Sequence, residues 1–173
     1  MTRAVLSLGS NLGDRYAHLR DAVRGLGDAV LVVSGVYETR PWGDPDQPEY
    51  LNAAVLVADG VEARAWLTRA HELERAAGRV RDPARRYGPR TLDVDVVVVW
   101  TDDGVPISSE DTDLVLPHPR AHERAFVLRP WLDIQPYAQL PGHGWVTDLL
   151  RAEPVAADLA RLAPRPDLLL DSA

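Results

Sequence analysis

The 173-residue chain contains no cysteine. That excludes a disulfide framework and any thiolate metal site. Lysine is missing too, since all 19 basic residues are arginine, a bias that a GC-rich coding sequence produces as readily as function does. No apolar run approaches the roughly 20 residues a membrane helix needs. The start, Met1-Thr-Arg-Ala-Val-Leu, lacks the apolar stretch and cleavage site of a signal peptide. No membrane partner and a cytoplasmic location are therefore expected. A net charge of −7 also argues against nucleic acid as a partner, because general nucleic-acid binders are usually basic.

What is present has the profile of a folded domain, with 46% hydrophobic and 26% charged residues. One domain over 1–152 is expected. The segment 153–173, with three prolines in its last 20 residues, is expected to be a surface appendage. Charge is unevenly spread. Five arginines fall between Arg79 and Arg90, and five acids between Asp102 and Asp113. Five guanidinium groups in so short a stretch of an acidic protein suit a small polyanion.

Apolar periodicity orders the elements. Val5, Leu6 and Leu8 predict a strand over 3–9. Tyr16, Leu19, Ala22, Val23 and Leu26 predict a helix over 14–26, with Ser10, Asn11 and Asp14 as candidate caps. A valine-rich strand is expected over 30–38, a loop from Thr39 to Glu49, and a third strand from Tyr50 to about Ala58. Ala63, Trp66, Leu67, Ala70 and Leu73 predict a helix over 62–77, with His71 and Glu74 at the edge of that stripe. The segment 78–91 has neither period, and a strand over 92–100 follows. The order βαββαβ is that of an α+β, ferredoxin-like fold with helices packed on an antiparallel sheet. A hairpin near 105–116, a turn-rich region to about 136 and a short helix over 146–152 are expected after it. Fold alone does not name a function.

Asp93 and Asp95 lie two apart on the last core strand, so both leave one face about 6.6 Å apart along it. Such carboxylates can hold one or two Mg²⁺ together with water and substrate phosphate. Two metals about 3.5–4 Å apart could clamp the attacking and leaving oxygens of a displacement. Polar alternation on an exposed strand is the plainer explanation, but Val97 and Val99 should continue the same face as apolar residues. Arg79, Arg81, Arg85, Arg86 and Arg90 lead into this strand, between Gly78 and Gly88-Pro89. The plainer explanation is a solvated basic loop. A loop moving between hinge-like ends could instead bring cations to a metal-bound triphosphate. Arg90, three residues from Asp93, is the strongest of them. Tyr50 and Asn52 share a strand face and suit a flat heterocycle with amide-like edges. His118 sits in the rigid turn Leu116-Pro-His-Pro119, ahead of Arg120, His122, Arg124 and Phe126; a structural histidine is the plainer explanation, but these neighbours suit phosphate contact.

Together the runs Leu8-Gly-Ser-Asn-Leu12, Asp46-Gln-Pro-Glu-Tyr-Leu-Asn-Ala-Ala-Val55, Gly78-Arg-Val-Arg81, Gly88-Pro-Arg-Thr-Leu-Asp-Val-Asp95 and Leu116-Pro-His118 resemble the 6-hydroxymethyl-7,8-dihydropterin pyrophosphokinases of folate biosynthesis. The resemblance spans about 5–130. It implies transfer of the β,γ-pyrophosphoryl group of ATP to the hydroxymethyl oxygen of the dihydropterin, releasing AMP. It implies two Mg²⁺ on Asp93 and Asp95, and Arg79 and Arg90 neutralising the phosphates with help from Arg81 and Arg124. Tyr50 and Phe126 would sandwich the pterin, with Asn52 and the backbone near Thr39, Pro41 and Trp42 at its edge. His71, Glu74, His118 and the backbone around Val96 and Leu114 would receive the nucleotide. A monomer acting on small molecules is expected. His71, Tyr87, Asp113 and Pro119 depart from the family's usual residues, as does an arginine loop one residue longer. The rival enzyme class is a metal-dependent nucleotidyltransferase, which would release pyrophosphate. A non-catalytic metabolite- or RNA-binding module fits the acid pair poorly.

Overall fold

The computed structural model describes residues 1–39, 46, 48–78, 84 and 90–170. In chain order the elements are β1 (Thr2–Ser10), α1 (Arg15–Leu26), β2 (Val30–Val33), β3 (Tyr37–Thr39), β4 (Tyr50–Asp59), α2 (Ala63–Ala76) and β5 (Asp93–Thr101). They continue with β6 (Ser109–Asp111), β7 (Leu114–Leu116), α3 (Ala125–Ile134), β8 (Gln139–Leu140), β9 (Gly144–Trp145), α4 (Val146–Arg151), α5 (Val155–Leu159) and β10 (Ala163–Pro164). The main sheet runs β10-β3-β4-β1-β5, with β2 also paired to β4 and every pairing antiparallel. With β2 and β3 counted as one interrupted strand, the first seven elements form the expected βαββαβ unit.

Alternation along the strands gives the sheet two packed faces. Ala4, Leu6 and Leu8 of β1, Leu51, Ala53, Val55 and Val57 of β4, and Val94 and Val96 of β5 point to one face. There they meet Leu19, Ala22, Val23 and Leu26 of α1 and Trp66 and Ala70 of α2. Leu6, Leu8, Leu19 and Trp66 are fully buried, each stabilising the fold by about 1.5–3 kcal/mol relative to exposure. The Trp66 indole N–H donates to Thr2 Oγ1 at 2.9 Å, so α2 keeps its largest side chain without stranding a donor.

Among the described residues, helices cover half of the opposite face. Val5, Ala54, Leu56, Val97 and Val98 pack under α3, α4 and α5, around the fully buried Trp131. The other half of that face, at the Ser10 end of β1, carries the polar residues. Among the described residues, helices cover one end of this sheet face and not the other, and that is what creates a site.

Four expectations change. The strand expected over 30–38 is broken at Ser34. Its hydroxyl accepts from Ala54 N at 2.8 Å, and Gly35 N turns away to Asp133 Oδ2 at 3.2 Å, so the ladder is interrupted between β2 and β3. Val97 and Val99 do not both continue the face of Asp93 and Asp95. The β1–β5 register shifts between Val5, opposite Val98, and Leu6, opposite Val96. The extra Val97 of this bulge sends Val99 into the α1/α2 core and turns Val98 towards α3. Within the turn-rich region to 136 lies the ten-residue helix α3, with Pro130 inside it. Its buried Val127, Leu128, Trp131 and Ile134 have helical spacing, and tertiary burial overrides the proline. Finally, the segment from Glu153 is tied to the domain. β10 pairs with β3, Arg165 N donates to Val36 O at 2.8 Å, and Leu170 is buried in the α1/α2 core.

Candidate active site

Register builds the site. Gly9 of β1 lies between Asn52 of β4 and Asp93 of β5, and Ser7 lies between Ala54 and Asp95. Thr39 stands opposite Tyr50, and Tyr37 opposite Asn52. Directly opposed residues share a face, so Thr39, Tyr50, Asn52, Gly9, Asp93 and Asp95 cross three strands and the β3 edge as one polar band. Gly9 is required where the band narrows. A Cβ there would lie 2.8 Å from Asn52 Nδ2 and 3.4 Å from Tyr50 Cδ1. Asn52 is itself fixed, with Oδ1 accepting from the Thr39 hydroxyl and Nδ2 reaching Leu8 O at 3.5 Å.

The arginines meet the aspartates. Arg90 Nη1 is 3.1 Å from Asp93 Oδ1, and Arg124 Nη1 is 3.6 Å from Asp95 Oδ2. Arg124 is buried and extends towards Phe126, its guanidinium carbon 5.7 Å from the ring centroid. Burial and the Asp93 charge push the Asp95 carboxyl up to about 8, against the lowering influence of Arg124 and Arg90. Burial and the neighbouring carboxylate thus make the ionised form of Asp95 costly in the metal-free protein, and a divalent cation at the pair would offset that cost. Among the described residues no cluster of three or more His, Asp or Glu forms an all-protein cage. Two oxygen donors fit Mg²⁺, which usually keeps water and substrate phosphate in its remaining positions.

His118 closes another side. Its backbone N donates to Val97 O at 2.8 Å, beside the bulge, and its Nδ1 accepts from Arg120 N at 3.1 Å. Burial, Arg124 and Arg120 lower its pKa to about 4 although Asp93 opposes them. The ring is thus neutral near pH 7, with Nδ1 as acceptor and the proton on Nε2.

A model of the 7,8-dihydro-6-hydroxymethylpterin-pyrophosphokinase family matches residues 5–136. The chain belongs to this family. It is 50% identical to the 2-amino-4-hydroxy-6-hydroxymethyldihydropteridine pyrophosphokinase of Mycobacterium tuberculosis, across 99% of this chain and 95% of that protein. The Mycobacterium leprae protein of the same name is 52% identical across 95% and 85% of the two chains, and the Bacillus subtilis one 38% across 76% and 77%. Among solved structures, an HPPK-DHPS chain in complex with substrates superposes with a TM-score of 0.65 at 11% identity, covering 94% of this chain. This chain corresponds to 46% of that longer one, and the likeness there concerns fold. The protein is thus a pyrophosphokinase of folate biosynthesis that acts on small molecules. No helix among the described residues is long and apolar enough to cross a membrane.

Of the residues expected to form the pyrophosphokinase site, the structure gathers Thr39, Tyr50, Asn52, Arg90, Asp93, Asp95, His118, Arg124 and Phe126 around the uncovered half-face. Arg79, Arg81, Pro41 and Trp42 lie outside the described residues, as do Arg85, Arg86, Tyr87 and Gly88-Pro89. The remaining nucleotide candidates occupy a different position, along the outer edge of β5. Glu74 is buried on α2, and its Oε2 accepts from Val94 N at 3.1 Å. Val96 and Leu114 are buried in the α1/α2 core, so only their backbone could meet a ligand. His71 lies one turn before Glu74 on α2. The α2 helix is fastened to the β6–β7 hairpin by Arg64, which contacts Asp111 at 2.8 Å and Asp113 at 2.7 Å. Asp113, out of keeping with the family's usual residue, is thereby used within the protein.

Two contributors were hidden. Ser10 and Asn11 are not helix caps; Asp14 Oδ1 takes that role, accepting from Ala17 N at 3.0 Å. Ser10 is buried against His18, and Asn11 reaches two loops at the site. The second is Tyr37, whose hydroxyl donates to Asp133 Oδ2 at 2.9 Å, with Arg129 on the same carboxylate at 2.9 Å. This joins β3 to α3, the helix that carries Phe126. A buried polar residue beside a glycine was the available signal for the first; a contact 96 residues apart in sequence left none for the second.

Proposed function

We propose that the enzyme transfers the β,γ-pyrophosphoryl group of ATP to the hydroxymethyl oxygen of 6-hydroxymethyl-7,8-dihydropterin, with Mg²⁺ at Asp93 and Asp95, releasing AMP. The observation that carries this reading is the adjacency, across Gly9, of the Tyr50–Asn52 slot and the aspartate pair. An acceptor lying on Asn52 presents its hydroxymethyl arm towards the two carboxylates on the far side of β1. Bound Mg²⁺ would supply charge neutralisation for the phosphates and fix their orientation.

The protein's own groups do the remaining work. Asn52 offers an amide edge to the pterin, with its orientation set by Thr39, while Tyr50 and Phe126 supply aromatic faces. Arg90 and Arg124, held beside Asp93 and Asp95, bind phosphate oxygens and counter the charge that develops during transfer. The neutral His118 donates a hydrogen bond from Nε2 without adding charge. Arg79 and Arg81 join the phosphate set in this reading. Glu74, His71 and the backbone at Val96 and Leu114 bound the nucleotide side. Catalysis rests on alignment and electrostatics, since phosphoryl-type transfer demands little covalent chemistry of a protein. The enzyme acts as a monomer in this reading.

Phosphorus NMR tests the reaction. ATP, Mg²⁺ and the dihydropterin should yield AMP and the pterin diphosphate, with no AMP when the pterin is omitted. ADP as product, or turnover that ignores the pterin, would overturn the assignment.

A further inference from the structure

The geometry points to Asn11 as a positioning residue that fixes the acceptor side of the site and the phosphate side relative to each other. Asn11 directly follows β1 and is 2% exposed. Its Nδ2 donates to Pro48 O at 3.0 Å, and its Oδ1 accepts from Arg90 N at 2.7 Å. Its backbone N also donates to Arg90 O at 3.0 Å. Pro48 and Glu49 lead directly into Tyr50, and Glu49 O is held in turn by Arg15 Nη1 at 2.8 Å. Arg90 carries the guanidinium that meets Asp93.

One planar amide therefore spans both entrances to the band. Only Asn offers a donor and an acceptor at this reach without charge; Asp lacks the donor and Leu lacks both. Asn11 itself is buried and both bonds are partly so, and losing one removes a tie that surface water does not reproduce in geometry. A shift of the segment before Tyr50 is passed through a single rigid group to Arg90, three residues ahead of β5. This role rests on the site reading proposed above: Pro48–Tyr50 serves the acceptor and Arg90 the phosphates.

Substitutions can separate the two arms. Asn11→Asp keeps an acceptor for Arg90 N and loses the donor to Pro48 O. Asn11→Ser loses both at that reach and keeps the backbone bond to Arg90, which preserves the fold. Amide hydrogen exchange reads the geometry without reference to activity. Asn11→Ser should expose the Arg90 N–H and loosen 48–51 together, and Asn11→Asp should loosen 48–51 alone. In steady-state kinetics Asn11→Asp should raise KM for the pterin about three- to tenfold with kcat near wild type, as loss of one partly buried hydrogen bond implies. Asn11→Ser should lower kcat as well. Exchange confined to residues 10–12, or a lower melting temperature with unchanged KM and kcat, would overturn the role. Failure of the activity reading would show differently: the wild type itself would form no pterin-dependent AMP, while the exchange pattern still reported whether Asn11 links the two segments.

Discussion

Gly9→Ala tests the acceptor slot through a single methyl group. The added Cβ would stand 2.8 Å from Asn52 Nδ2, and 3.4 Å and 3.7 Å from two Tyr50 ring carbons. Comfortable carbon contacts lie near 3.5–4.0 Å, so the Asn52 amide must retreat by about 0.5 Å or more. It cannot do so freely, because it is buried and bonded to the Thr39 hydroxyl. Overpacking of this kind costs about 1–3 kcal/mol, and loss of the Thr39–Asn52 bond about 1 kcal/mol. If the displacement falls mainly on Asn52, pterin affinity should drop about 10- to 100-fold, or roughly 1.4–2.8 kcal/mol. Equilibrium titration of the pterin by fluorescence measures this, with ATP-analogue binding followed in parallel and expected to change little. In an Asn52→Ala background the same Gly9→Ala change should be nearly neutral, because the opposing atom has gone. A folded Gly9→Ala variant that binds pterin like the wild type would refute the placement of the acceptor on Asn52. Equal loss of nucleotide and pterin binding would instead mean that the methyl group distorts the whole sheet end.

Asp95→Ala should abolish detectable turnover in the phosphorus NMR assay while pterin binding survives, since Tyr50 and Asn52 lie across β1 from it; joint loss of binding and folding would make the acid structural. The pH dependence of the metal-free protein follows from Asp95 and His118 together. Asp95, raised from 3.8 to about 8, binds a proton more tightly when folded, so its contribution to stability is present at low pH and fades as pH rises towards 8. His118, lowered from 6.5 to about 4, acts oppositely between those values. Above pH 6.5 only the Asp95 trend remains: melting temperature should fall towards pH 8 without Mg²⁺, and Mg²⁺ affinity by calorimetry should rise over the same range. A flat profile in both would show that Asp95 is ionised without metal. Leu170→Ala should destabilise the protein by about 2 kcal/mol or more in urea unfolding, in the range for buried leucines; a change below about 0.5 kcal/mol would restore the view of residues 153–173 as an appendage.

Much of this architecture was readable from local pattern. The apolar run of Val5, Leu6 and Leu8, the helical stripes of α1 and α2, and the Asp-x-Asp pair at the start of β5 are short-range signals that strand or helix period makes legible. The family followed from five short runs that hold those same elements in order. Pattern misled where a long-range partner decided the local structure. Ser34 breaks a strand because its hydroxyl captures Ala54 N. Val97 becomes a bulge because β1 pairs out of step at Val5. Pro130 sits inside a helix because Val127, Leu128 and Trp131 find a core beneath it.

Sequence by itself determined that Asp93 and Asp95 share a face, because successive strand side chains alternate by covalent geometry. It also determined that Gly9 precedes two small polar residues, but not what they touch. Only the tertiary structure set Asn52 and Asp93 on either side of Gly9, since that neighbourhood is made by pairing β1 with both β4 and β5. The same pairing buried Asn11 between Pro48 and Arg90. Hydrogen-bond partners 37 and 79 residues away have no periodic signature; they exist only once the strands have closed the sheet.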